Sequence, residues 1–108
     1  MVSPYPRNKL SGAYRLFFGT LANERRLQLI NALRKKKLNV TQLCQTTGLE
    51  QSLVSHNLTI LEYHGMVFRE RVGKFRYYSV NEKTIKPLLD LIETHMNEYC
   101  CKILTGER

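Results

Sequence analysis

Between Thr41 and Gly65 the chain reads TQLCQTTGLEQSLVSHNLTILEYHG: one helix-length segment, a glycine, then a second segment that resumes a 3.6-residue pattern. Gly48 suits the positive φ of a helix C-cap, so the stretch predicts two short helices meeting at a tight turn. In the second, Val54, Leu58 and Leu61 recur at i, i+4 and i+7 and face a core. Gln51 opens that helix, and Ser52, Ser55, His56 and Thr59 line its other side. Short hydrogen-bonding side chains without a long acidic one match the donors, acceptors and thymine methyls of a DNA major groove. A solvated face on an ordinary helical hairpin has the same composition, so the motif alone leaves both readings open.

Charge separates them. The formal net charge is +8, and it is uneven: residues 1–80 hold 13 Lys and Arg against 4 Asp and Glu, whereas residues 81–108 hold 4 against 5. The basic part contains the two-helix turn, which favours a polyanion, with nucleic acid first among polyanions. With 108 residues the chain makes one domain whose core is workable but small, so burying further surface in a dimer is favourable. There is no apolar run of membrane-spanning length and no opening signal peptide, and the expectation is a soluble cytoplasmic protein with no membrane partner. Cys44, Cys100 and Cys101 form no secreted disulfide framework and are expected as reduced thiols.

Taken in order, residues 1–9 contain Pro4, Pro6 and Asn8 and predict an irregular arm; residues 10–104 form the domain and 105–108 a tail. Leu10, Tyr14, Phe17, Phe18 and Leu21 make an apolar helical stripe with more aromatic surface than one small helix gives to a domain, so Tyr14, Phe17 and Phe18 are assigned to a dimer interface. A second helix is capped by Asn23, turns Leu27, Ile30 and Leu33 inward, and ends in Arg34 to Lys37, cations that suit its macrodipole, backbone phosphate or plain solvent equally. Asn39 and Gln42 have capping-box spacing and start the turn motif near Val40, with Cys44 on the inner side.

After Gly65 the period changes. Met66 to Arg71 and Lys74 to Val80 alternate apolar with charged residues around Val72 and Gly73, a β-hairpin carrying Arg69, Arg71, Lys74 and Arg76. A basic hairpin behind a groove-reading helix is a winged helix, its wing lying along phosphates or reaching the minor groove. Ile85, Leu88, Leu89, Ile92, Met96, Tyr99 and Ile103 then predict one long terminal helix with a continuous seam, its N-cap near Thr84 because Pro87 belongs in the first turn. Leu88, Ile92 and Met96 complete the predicted dimer interface. The fold class is therefore mainly α with a small β-hairpin wing, a winged helix-turn-helix dimerised through its first and last helices.

LANERRLQLI at Leu21 to Ile30, GLEQSLVSHNLTIL at Gly48 to Leu61 and GMVFRERVGKFRYYSV at Gly65 to Val80 stand together in an order and spacing that resembles the ArsR/SmtB winged-helix repressors, over almost the whole chain. The resemblance implies a homodimer on double-stranded DNA, one recognition helix per subunit in successive major grooves of an inverted repeat, and repression relieved by an inducer, often a metal ion. It assigns Gln51, Ser52, Ser55 and His56 to base or phosphate contacts, and the Arg69 to Arg76 wing to the backbone.

This chain departs from that pattern at the sensor positions. Members that sense soft metals begin the third helix with two cysteines one residue apart, where this chain has Asn39 and Thr41. The zinc-sensor positions on the last helix hold Glu82, Thr84, His95 and Glu98; Thr84 removes a nitrogen ligand, and zinc prefers four strong ones. Glu50 stands where the family usually has a serine cap and would repel a nearby phosphate. Some arsenic sensors carry a cysteine pair near the end of the last helix plus a third cysteine beyond; here only Cys100 and Cys101 are present. A metal or metalloid ion is the one cofactor the resemblance suggests, and the thiol pair is the preferred sensor over Glu82, His95 and Glu98. No nucleophile, base and oxyanion constellation can be assembled, so an enzyme is disfavoured. The alternatives are a winged-helix protein-interaction or structural module and a constitutive DNA-binding regulator.

Overall fold

The computed structural model describes residues 7–104 and 106. Helix α1 spans Arg7–Leu21, so Arg7, Asn8 and Lys9 of the expected arm are helical; residues 1–6 lie outside the described residues, as do 105, 107 and 108 of the expected tail. Asn23 then caps α2 (Glu24–Lys35), its side-chain oxygen accepting from the N–H groups of Arg25 and Arg26 at 3.1 Å each. Leu29, Ile30 and Leu33 on α2 are buried, while Leu27 is only partly covered.

The turn motif forms as its local chemistry dictates. Asn39 accepts from the Gln42 N–H at 2.8 Å and Gln42 returns its side-chain oxygen to the Asn39 N–H at 2.9 Å, opening α3 (Val40–Thr47). Gly48 ends it at φ 75°, a left-handed conformation a Cβ would strain. Helix α4 (Gln51–Tyr63) follows, with Val54, Leu58 and Leu61 fully buried.

Strands β2 (Val67–Val72) and β3 (Phe75–Val80) make the hairpin, with Val72 opposite Phe75 and Gly73 at φ 61° as the first residue of a two-residue turn. A third strand, β1 (Leu38–Asn39), pairs antiparallel with β3 and gives the order β1-β3-β2. Two residues are too few to show alternation, so this strand has no sequence signal. It brings Asn39 opposite Tyr77 and thereby sets the start of α3 beside the wing.

The terminal helix is not the single unbroken one its spacing predicts. Helix α5 runs Ile85–His95, a π-helical turn occupies Met96–Cys100, and α6 covers Cys101–Leu104. The π turn accommodates an extra residue, so residues beyond it are rotated from the line of Leu88 and Ile92. Thr84 does stand at the N-cap but makes no side-chain bond there; the Asn81 carbonyl accepts from Ile85 and Lys86 instead, at 3.1 Å each.

Arg34 joins α2 to α5. Its guanidinium pairs with Asp90 and donates to both oxygens of Glu93 at 2.7 and 3.1 Å. That hydrogen bond, reinforced by the charge of Arg34, holds the Glu93 carboxyl below its ordinary 4.5. Arg34 is thus an α2-to-α5 tie rather than a phosphate contact or a solvated charge.

The result is thin. Its principal extents are 44 × 40 × 22 Å, and the Cα radius of gyration is 15.9 Å, where a compact chain of this length has about 13 Å. The excess comes with uncovered helices. Tyr14, Leu16 and Phe18 are 58, 58 and 50% exposed on α1, and Leu91 and Ile92 are 68 and 39% exposed on α5. Phe17 and Leu88, also expected on the dimer interface, are partly buried and touch the core as well. Leu16 and Leu91, which the sequence spacing did not single out, are more exposed than either.

Candidate nucleic-acid interface

The side chains of Gln51, Ser52, Ser55, His56 and Thr59 are all exposed on α4, on the side away from Val54, Leu58 and Leu61. They are not equally available. Ser52 donates its hydroxyl to the Glu50 carboxylate, and Thr59 donates back to the Ser55 carbonyl at 3.0 Å, leaving its methyl as the outward group. Glu50 occupies the N-cap position without a side-chain cap bond. The residues free to meet a base edge therefore concentrate in the first turns of α4, at Gln51, Ser55 and His56, where a recognition helix enters a groove.

The wing's four cations divide by their partners. Arg69 lies 3.4 Å from the Glu62 carboxylate of α4, so its charge is compensated within the fold. Arg71 and Arg76 are directly opposite one another across the hairpin, and Lys74 sits in the turn between them. Among the described residues none of these three enters an ion pair; Arg71 only donates to the Gly73 carbonyl at 3.3 Å. Like charges directly opposite on a sheet disfavour the hairpin until an anion sits between them. They line a cleft of about 390 Å³ with Phe75 on the wing and Asn39, Val40 and Thr41 at the start of α3. Sequence spacing did not reveal Thr41 as a neighbour of the arginines, because the β1 to β3 pairing that brings the start of α3 to the wing has no local signature.

The sensor candidates are dispersed. Asn39 is committed to the capping box. Glu82 precedes α5, and His95 is the last of its 11 residues, roughly 16 Å of helix away at 1.5 Å per residue. Glu98 lies in the π turn, and the His95 ring rests 5.2 Å from that of Tyr99. Among the described residues no three His, Cys, Asp or Glu side chains converge as ligands would, so the Glu82, His95 and Glu98 set does not fit a metal ion within one chain. Cys44 is half-buried against the core, Cys100 half-buried and Cys101 exposed.

Residues 23–68 match the family described as "Bacterial regulatory protein, arsR family". The chain is 40% identical over 75 residues to the transcriptional repressor PagR of Bacillus anthracis, covering 68% of this chain and 74% of that protein. This chain belongs to the ArsR family. It is also 40% identical over 70 residues to the HTH-type transcriptional regulator NmtR of Mycobacterium tuberculosis, across 65% of this chain but only 58% of that protein's length. Among solved structures, the homodimeric winged helix-turn-helix DNA-binding domain Mb0332 of Mycobacterium bovis superposes with a TM-score of 0.75 at 27% identity, covering 91% of this chain and 93% of that one. These relatives are transcriptional regulators, and the winged helix-turn-helix of the ArsR family is the architecture found here. Among the described residues no helix is long and apolar enough to cross a membrane.

Proposed function

We propose that this ArsR-family chain is a transcriptional repressor that binds an inverted-repeat operator in double-stranded DNA as a homodimer, in the cytoplasm, and is not an enzyme. The observation that carries the proposal is the pairing of an uncharged hydrogen-bonding face on α4 with wing cations that have no carboxylate partner. In this reading Gln51, Ser55 and His56 discriminate bases, Ser52 and the Thr59 methyl flank them, and Arg71, Lys74 and Arg76 hold phosphates. Arg69 contributes less than the other three, because Glu62 already neutralises it.

Two substitutions separate these roles. Arg76→Ala is expected to weaken binding to every duplex and reduce the salt slope by about one unit, without lowering thermal stability, since it relieves the repulsion with Arg71. Gln51→Ala is expected to leave the slope alone and lose roughly 1 to 3 kcal/mol of discrimination at particular bases. Titrations of specific and random duplexes across a salt series check both. Equal loss on both duplexes for the two variants contradicts the assignment, and a parent whose binding ignores salt marks a protein-interaction module instead.

Release by an inducer is assigned to Cys100 and Cys101. The pair is adjacent, straddles the end of the π turn, and has one member open to solvent, whereas the oxygen and imidazole set is scattered. Arsenite or a mild oxidant should release DNA from the parent and not from a Cys100→Ser, Cys101→Ser variant. Mass-spectrometric footprinting with a thiol alkylator should label Cys101 ahead of Cys100 and Cys44. Equal release from parent and double variant rules the thiols out.

A further inference from the structure

Asn57 is the one α4 side chain among these polar residues that turns inward, at 5% exposure. A buried amide costs stability unless its hydrogen bonds are made. Its Nδ2 donates to the Leu53 carbonyl at 2.9 Å, which fixes the amide on its own helix, and its Oδ1 accepts from Arg26 Nη1 at 3.3 Å. Arg26, on α2, donates through Nε to the Thr20 carbonyl at 2.7 Å and through Nη2 to the Gly19 carbonyl at 3.5 Å. Those carbonyls belong to the last turn of α1, where no intrahelical donor reaches them. One rigid guanidinium plane therefore links the end of α1 to the middle of α4.

We infer that Arg26 and Asn57 are positioning residues that set the placement of the recognition helix relative to the dimerisation helix, and so the spacing of the two recognition helices in the dimer. The inference rests on the DNA-binding reading above. Helix α1 carries the exposed Tyr14, Leu16 and Phe18, while Ser55, His56 and Thr59 flank Asn57 on the groove side. Fixing the end of one helix to the middle of the other transmits the subunit pairing angle to the base-reading face. Half-site spacing is read through that geometry, and the link touches no DNA itself.

The test uses a duplex that the full-length parent protein selects from a random pool, the same duplex with its spacer one base pair longer or shorter, and a random duplex. Arg26→Lys keeps the charge but loses the fork; Asn57→Ala keeps the α1 contacts but cuts the link to α4. Each is expected to lower affinity for the selected duplex roughly tenfold and to flatten the spacer preference. Binding to the random duplex should hold, and the double variant should be no worse than either single one. Parent-like affinity and spacer preference, multiplicative losses, or equal losses on all duplexes each overturn the inference. Amide exchange provides a readout without DNA: in Arg26→Lys, protection at Leu58 to Leu61 and at Ala22 should fall together while α5 stays protected, and unchanged protection also overturns the link. A parent that selects no duplex fails the DNA-binding reading alone, since the exchange experiment still decides whether the two helices are coupled.

Discussion

An Ile92→Asp, Phe18→Asp variant is expected to be monomeric and to bind the inverted-repeat operator two to four orders of magnitude more weakly than the parent. Phe18 is 50% exposed on α1 and Ile92 39% exposed on α5. An aspartate at either place would enter the pairing surface with no partner charge, and its desolvation opposes association. Each monomer keeps its own α4 face and wing, so half-site contacts survive. What disappears is the linkage that makes the second half-site an intramolecular event. Light scattering reads the oligomeric state, and duplexes carrying one or two half-sites read the affinity. A dimer that persists at micromolar concentration places the interface elsewhere. A monomer that binds the full operator like the parent removes the need for two subunits.

Leu58→Ala is expected to cost about 2 to 5 kcal/mol of stability. Leu58 is fully buried on the inner side of α4, and Ser55, His56 and Thr59 stand within one turn of it on the outer side. The lost contacts leave a cavity beneath the proposed base-reading face, and the loss is a large fraction of the roughly 5 to 15 kcal/mol that holds a domain folded. Denaturant unfolding at fixed protein concentration measures the loss, the concentration mattering because dimerisation adds to apparent stability. A loss under about 1 kcal/mol means that neighbouring side chains close over the site and α4 is more loosely seated than its burial implies.

The sequence by itself determined the caps, turns and helix faces that depend on neighbours within one or two turns. Asn39 and Gln42 cap each other because three residues of helix bring them together, and Asn23 caps α2 for the same reason. Gly48 and Gly73 take the positive φ their turns need. Val54, Leu58 and Leu61 share a face through helical periodicity alone, which leaves Gln51, Ser55 and His56 outward. The basic hairpin and its family likeness were legible in the same local way.

Tertiary structure decided which long side chains are already occupied and which apolar ones remain uncovered. Arg34 finds Asp90 and Glu93 more than fifty residues away, Arg69 finds Glu62, and Arg26 finds Asn57 thirty-one residues on. In sequence all three arginines look like free cations, because a charge's partner depends on where another helix lies in space. Phe17 packs inward while Phe18 and Leu16 face out, and adjacent positions about 100° apart on a wide apolar stripe do not settle which one the core takes. The short β1 pairing and the π turn at Met96–Cys100 are likewise set by contacts and backbone bonding that no residue pattern announces. Arg71, Lys74 and Arg76 stand out as the cations proposed to hold phosphates only once the arginines with internal partners have been set apart.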